Sequence, residues 1–196
     1  MTGLVKKVLG WFSNPPTETN AEEQRGKRSV NALKEWTGKA RATIIYDSTV
    51  DEFTDECLFR MVKGKPNIAV VATTTDGDVF GGFYSVAVTR ENEEFYDRNM
   101  FLLSFESHGR CMTPQRFDVK KSDRVLGCVI FFKNFIIRHF VRFWGGDDGW
   151  LDLGDEQSDT WCDNLSRDFE GIEDTTLTGK NRRRFTCCRL VAVWLE

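Results

Sequence analysis

The sequence predicts a mainly β protein, a two-sheet antiparallel β-sandwich with short flanking helices. Three observations predict this fold. At least six runs are rich in β-branched and aromatic residues, and two of them are joined by an Asp-Gly turn, which is a strong hairpin signal. The runs do not alternate with helices, as the strands of a parallel sheet would. The 196 residues include 16 Phe and 6 Trp, enough apolar mass to bury a core without disulfides or a structural metal.

Residues 1–29 are predicted to form an N-terminal amphipathic helix and a polar linker. Within residues 4–12 the apolar side chains recur at helical spacing, and Pro15-Pro16 ends the pattern. This helix could contact a membrane surface, a partner or its own domain, and the pattern leaves all three open. The folded domain is expected to span residues 30–196.

The first half of the domain is predicted to contain two helices and three strands. Residues 30–36 are expected to be helical. A second helix over 53–62 is predicted because Thr54 is a good N-cap, acids occupy the first turn, and the apolar side chains share one face. The strands are expected at 42–48, 67–75 and 78–88, the last two joined by the turn Asp76-Gly77.

The second half is predicted to be almost entirely β. A strand over 100–107 is expected to end in a turn at His108 and Gly109. A second hairpin is expected from 125–132 and 135–143, and a long strand over 185–195 closes the domain.

Composition and charge exclude several classes of protein. The net charge of −3 argues against a dedicated nucleic-acid binder, which usually carries a strong basic excess. Neither a secretory signal nor a membrane-spanning run is recognised, so a cytoplasmic protein is expected, in contact with endomembranes at most peripherally through residues 4–12. Acids are concentrated in 144–174 and bases in 110–143, which could orient a partner or could simply solvate loops.

The segment WGGDDGWLDLGDEQSDTWCDN, residues 144–164, suggests a metal site or an active site. It fails the EF-hand test: counting from Asp148, the third position is Trp150 and the sixth is Leu153, where the loop requires glycine. No cofactor or metal ligand set is predicted. The glycines are interpreted instead as a tight turn between strands, from which Trp150 and the next residue re-enter the core.

Histidines and cysteines give no recognisable catalytic pattern. The chain has 2 His and 6 Cys without a C-x-x-C pair, so a standard zinc site has little support. His139 is expected to be a packed or edge residue, and His108 suits a turn as well as a function. Cys187 and Cys188 are neighbours on a strand and should face opposite sides.

The order of several motifs resembles the TLDc domain. TIIYDSTVDEF is followed by NIAVVATTTDGDVFGGFYS, NMFLLSFES, GGDDGWLDLGDEQSDTWCDN and RFTCCRLVAVWLE. The resemblance covers residues 36–196, and D-G-x-x-F-G-G-F is its most specific part. The positions that carry the family signature are Asp76, Gly77, Phe80, Gly81, Gly82, Phe83, Gly145, Gly146, Gly149, Trp150, Asp152 and Cys162.

The resemblance implies a two-sheet sandwich, a role in resistance to oxidative damage, and binding to the vacuolar-type proton pump. No catalytic mechanism is established for the family as a whole, and the glycine cluster here lacks the His that some members carry. The leading hypothesis is therefore a non-enzymatic protein that acts through protein–protein contact. The candidate contact residues are Asp147, Asp148, Asp155, Glu156 and Asp159.

Two alternatives stay open. One is an enzyme of undefined chemistry that uses the acidic segment 145–164, with Asp152, Asp155 or Cys162 gathered in a pocket. The other is a redox sensor based on exposed cysteines, with Cys162, Cys187 and Cys188 as the candidates.

Overall fold

The computed structural model describes residues 20–108, 111, 113–121, 126–133, 139–155, 160–179 and 184–196. The predicted amphipathic helix over residues 4–12 lies outside the described residues. Helices are α1 (Asn20–Thr37), α2 (Asp55–Val62) and α3 (Leu165–Asp168). Strands are β1 (Ala42–Asp47), β2 (Ile68–Thr74), β3 (Val79–Tyr84), β4 (Phe95–Tyr96), β5 (Phe101–Glu106), β6 (Gln115–Asp118), β7 (Cys128–Phe131), β8 (His139–Trp144), β9 (Trp150–Gly154), β10 (Trp161–Asp163) and β11 (Cys187–Leu195).

The strands form two antiparallel sheets. The larger sheet has the order β1-β11-β2-β3-β5-β6, and the smaller has the order β10-β9-β8-β7-β4. The two-sheet sandwich with marginal helices predicted from the sequence is confirmed. Strand β11 lies inside the larger sheet, between the edge strand β1 and β2, and contributes to the core.

The larger sheet is buried on both faces. Along β2, Val70 and Ala72 belong to the core between the sheets, whereas Ala69 and Val71 pack in a second apolar cluster with Leu33 of α1. A strand covered on both faces needs no polar alternation, which explains the continuous apolar run of β2. Three layers result: α1, the larger sheet and the smaller sheet.

Helix α1 begins ten residues earlier than the sequence predicts. Residues 20–29 were expected to be linker but are helical. Gly26 and Ser29 lie on the buried side of this helix, and the Ser29 hydroxyl donates to the Arg25 carbonyl at 3.1 Å. Small and polar residues therefore occupy positions where an apolar stripe would have revealed the helix. The boundary between residues 29 and 30 stays a prediction.

Local predictions in the rest of the domain are largely confirmed. Thr54 caps α2, its side chain accepting from the Cys57 amide. The Asp-Gly hairpin joins β2 and β3, and the predicted partners β7 and β8 pair antiparallel. The predicted strand 78–88 is shorter, since β3 ends at Tyr84. Strands β4, β6 and β10 were not predicted, whereas β9 begins at Trp150, where the sequence implies a strand after the glycine turn without giving its bounds.

Candidate functional site

The glycine loop after β8 is wrapped around a buried carboxylate from α3. Asp168 is 1% exposed, and its Oδ2 accepts from the backbone amides of Asp147 at 3.1 Å, Asp148 at 3.1 Å and Gly149 at 2.7 Å. The Gly145 amide closes the loop by donating to the Gly149 carbonyl at 2.8 Å. Successive amides that converge on one anion form a nest, and here the anion is the protein's own side chain.

Two glycines of this loop are required by close approach. A Cβ at Gly145 would lie 2.1 Å from the Asp168 Cβ, and one at Gly149 would lie 2.8 Å from the Asn164 carbonyl oxygen. Gly146 has a φ of 121°, a conformation that other residues rarely adopt. The cluster of glycines is thus a backbone device that lets the loop close on Asp168.

The side chains of Asp147 and Asp148 point away from this nest. They are 58% and 50% exposed, and the Arg167 guanidinium forms an ion pair with Asp148 and lies 3.9 Å from Asp147. Asp155 is half-buried after β9. The other two candidate contact residues, Glu156 and Asp159, lie outside the described residues.

Asp152 has a different environment, on strand β9 inside the smaller sheet. It is 0% exposed and lies directly opposite Arg142 on one side and Trp161 on the other. Arg142 Nε and Nη2 donate to its two oxygens, both at 2.7 Å, and the Trp161 indole donates at 2.9 Å. His139, also buried, places Nδ1 3.2 Å from Asp152 Oδ2.

This arrangement neutralises Asp152 and leaves it little capacity for chemistry. Both oxygens are occupied by donors, and the Arg142 guanidinium is itself covered by the Trp150 ring at 5.5 Å and the Phe132 ring at 5.6 Å. A buried carboxylate held in this way fixes the alignment of β8, β9 and β10. His139 proves to be a packed residue at the start of β8.

The cysteines differ sharply in accessibility. Of the six, all of which lie in the described part of the chain, only Cys188 is exposed, and none is in a disulfide. Burial raises the pKa of Cys128 to about 12 and also raises the pKa of Cys187, so these thiols resist forming the reactive thiolate. Cys162 is buried too, at 1% exposure.

The Asp-Gly hairpin brings the two sheets together. A Cβ at Gly81 would lie 1.9 Å from the Val70 carbonyl oxygen, and one at Gly82 would lie 2.4 Å from the Phe143 ring of the opposite sheet. Phe80 packs edge-on against Phe185 in the core between the sheets. On the other face of β3, Phe83 stacks on Phe101 with ring centroids 4.8 Å apart. These signature residues are therefore packing residues.

The turn of the same hairpin borders a polar cleft of about 270 Å³. Buried Asp78 lies 2.7 Å from His108 Nδ1, and Arg25 of α1 places Nη1 2.8 and 3.0 Å from the two Glu106 oxygens. The sequence singled out Asp76, Gly77 and His108 as residues but did not indicate that they lie together. The cleft could not be foreseen, since the two pairs join residues 30 and 81 positions apart.

The fold is a β-sandwich domain. It consists of two packed antiparallel sheets, one of which is covered by a helix and contains β11. Most of the signature residues serve packing. The family model described as the TLDc domain matches residues 22–169. The chain therefore belongs to the TLDc-domain family. The match begins inside α1, whereas the resemblance noted from the sequence motifs starts at residue 36. No curated protein matches the chain. Among the described helices, none is long and apolar enough to cross a membrane.

Proposed function

We propose that this TLDc-domain protein acts by protein–protein contact in protection against oxidative stress, and that a vacuolar-type proton pump is its candidate partner. Membership of the family supports the stress role. The pump is proposed because the motif order of residues 36–196 resembles the TLDc domain, whose members are linked to binding this pump.

The observation that carries the proposal is the geometry of the glycine loop. Asp168 holds the backbone of the loop from inside, while Asp147 and Asp148 project their carboxylates outward. A contact surface gains affinity when its groups are fixed before binding, because less conformational freedom is lost in the complex. Arg167 leaves part of each carboxylate accessible to a partner's cation. The rim of the loop is thus a pre-organised acidic surface.

Among the described residues of the acidic segment, the geometry gives the enzyme hypothesis no support. Asp152 is buried and paired with Arg142, and Cys162 faces the core between the sheets. Redox sensing is supported at one position only, Cys188, whose thiol is exposed and donates to the Thr73 carbonyl at 3.3 Å.

Affinity capture from cells under peroxide stress, read by mass spectrometry, tests the proposal. The wild-type protein is compared with the D147N/D148N double variant and with E93Q/E94Q, a matched control that removes two adjacent exposed acids from another loop. We expect pump subunits with the wild type and the control, and their loss with D147N/D148N. Equal recovery with all three proteins would refute a role for the loop, and recovery of no pump subunit with any of them would refute the pump as partner.

A further inference from the structure

Helix α1 has two halves that are held to the larger sheet in different ways. The second half, residues 30–37, contributes Val30, Leu33 and Trp36 to the apolar cluster on the face of the sheet that α1 covers. The first half, residues 20–29, reads NAEEQRGKRS and contains no apolar residue larger than alanine. Hydrophobic stabilisation is proportional to the apolar area removed from water, so it is concentrated in the second half of the helix.

The contacts of Trp36 show how the second half is docked. Its ring stacks on Phe105 with centroids 6.2 Å apart and meets Phe101 edge-on at 5.9 Å. Arg116 Nη1 donates to the Trp36 carbonyl at 2.7 Å. A large aromatic side chain fixed by three neighbours makes this end of α1 part of the packed domain.

The first half is attached by one ion pair. Arg25 Nη1 lies 2.8 and 3.0 Å from the two Glu106 oxygens, and the two side chains are 40% and 32% exposed. Within residues 23–29, this is the only side-chain hydrogen bond or ion pair to another described part of the domain. A pair that is exposed to this degree contributes little stability, because water screens it.

Two residues of the first half also weaken the helix itself. Gly26 lies in the helix interior, where glycine is unfavourable because it loses the most backbone freedom on folding. The Ser29 hydroxyl donates to the Arg25 carbonyl at 3.1 Å, a bond that slightly destabilises a helix. Isolated helices shorter than about 12–15 residues are marginal in water, so a segment as short as residues 20–29 would lose its helical structure once it left the sheet.

We propose that residues 20–29 form a lid on the hairpin end of the larger sheet, and that this lid opens by local unfolding while residues 30–37 stay docked. The Arg25–Glu106 ion pair controls the opening. Arg25 is the one residue of α1 among those that line the cleft of about 270 Å³ at this end of the sheet. Opening of the lid therefore removes one wall of the cleft and gives solvent access towards the buried Val79.

The lid makes access to this end of the larger sheet conditional. Free energies of local opening range from near zero to the global value, and moving elements have few buried apolar contacts. A ligand that takes the place of Arg25 at Glu106 favours the open form by the difference between its affinities for the two forms. Binding at the hairpin end is thus coupled to the helical content of α1.

Amide hydrogen exchange of the full chain, followed by NMR, tests the lid. The first four amides of a helix have no acceptor within it, so residues 24–29 report on the first half. Residues 34–37 report on the second half, because their acceptors are the carbonyls of residues 30–33. After correction for intrinsic rates, we expect residues 24–29 to exchange at least about tenfold faster than residues 34–37, but more slowly than a free peptide.

Variants of the ion pair test its control of the opening. Glu106→Gln removes the charge that holds Arg25 and should raise the exchange rate of residues 24–29 about threefold, with that of residues 34–37 unchanged. Arg25→Gln should have the same effect, and the double variant should add nothing further, because the two residues share one interaction. Glu93→Gln is the matched control, since it breaks another Arg–Glu pair of 2.8 Å outside α1 and should change neither rate.

Three results would overturn the proposal. Equal exchange rates in the two halves would show that α1 opens only as a whole. Exchange of residues 24–29 at the rate of a free peptide would show that the lid has no closed form. An equal effect of Glu106→Gln and Glu93→Gln, or an equal increase in both halves, would show that the ion pair does not control a local opening. Near-ultraviolet circular dichroism verifies that each variant is folded.

Discussion

Replacing Asp168 by alanine should destabilise the protein strongly, because this one carboxylate holds three backbone amides. The shortest bond, 2.7 Å to the buried Gly149 amide, would be lost with no water in its place. Hydrogen bonds to charged groups contribute about 1.5–3 kcal/mol each when the partner stays buried. The bonds to Asp147 and Asp148 are both 3.1 Å and lie at part-buried positions, so water can replace them at a cost of about 0.5 kcal/mol each.

The sum is a loss of about 2.5–4 kcal/mol in the free energy of unfolding. For a chain of this size that corresponds to a fall in Tm of roughly 5–15 °C. Asp168→Asn keeps a neutral oxygen at the same place and should lose about half as much. Urea unfolding followed by tryptophan fluorescence measures both changes, since Trp144 and Trp150 flank the loop.

Asp174→Ala is the matched control. Asp174 also accepts a backbone amide, that of Ser166 at 3.2 Å, but at an exposed site, so its loss should change stability by no more than about 0.5 kcal/mol. If Asp168→Ala were as stable as this control, the glycine loop would not depend on its buried carboxylate and the structural account of the motif would be wrong.

Three further predictions follow from the packing and the charges. Gly81→Ala should fail to give soluble folded protein, because its Cβ would lie 1.9 Å from a backbone oxygen; a normal thermal transition would contradict the register of β2 and β3. Burial alone would raise the pKa of Asp47, but the Arg189 guanidinium, with Nη2 2.6 Å away, and the hydrogen bonds from Thr49 together lower that pKa. The ion pair therefore stabilises the fold above the ordinary Asp pKa of about 3.9 and is lost as pH falls below it. In a plot of the free energy of unfolding against pH, Asp47→Asn should reduce the loss of stability at acid pH. An unchanged loss would refute this prediction. N-ethylmaleimide at neutral pH should label one thiol rapidly, and the Cys188→Ser variant should lack this rapid labelling. Rapid labelling of a second thiol would contradict the burial of the other cysteines.

The sequence was sufficient to predict the sandwich because its main signals are local. The Asp-Gly turn fixes the β2–β3 hairpin, and Thr54 marks the start of α2. The extent of strand β9 could not be predicted for a physical reason: Asp152 occupies a buried position between two buried leucines, which breaks the alternation that reveals a half-buried strand. Only its pairing with Arg142 of the adjacent strand makes that burial tolerable, and a single sequence does not show which strands are adjacent.

The same limit applies to the candidate sites. The glycine cluster could be recognised as a turn, but the residue that it encloses, Asp168, is about twenty positions away and looks like an ordinary acid in an acidic segment. The Asp78–His108 and Arg25–Glu106 pairs are likewise formed by tertiary packing of α1 and β5 against the hairpin. The residue types predict that polar contacts occur, but the partners of each polar side chain depend on the tertiary packing.

Four of the described acids in the segment 144–174 thus fall into two groups with separate consequences when they are replaced. Asp152 and Asp168 face inward and hold strands and backbone, so their loss should lower stability first and any activity only as a result. Asp147 and Asp148 contribute their backbone amides to the nest, and their side chains lie outside it. Replacing them with asparagine keeps the amides and removes only the charge. A loss of partner binding in that variant, at unchanged stability, would therefore report on the contact itself.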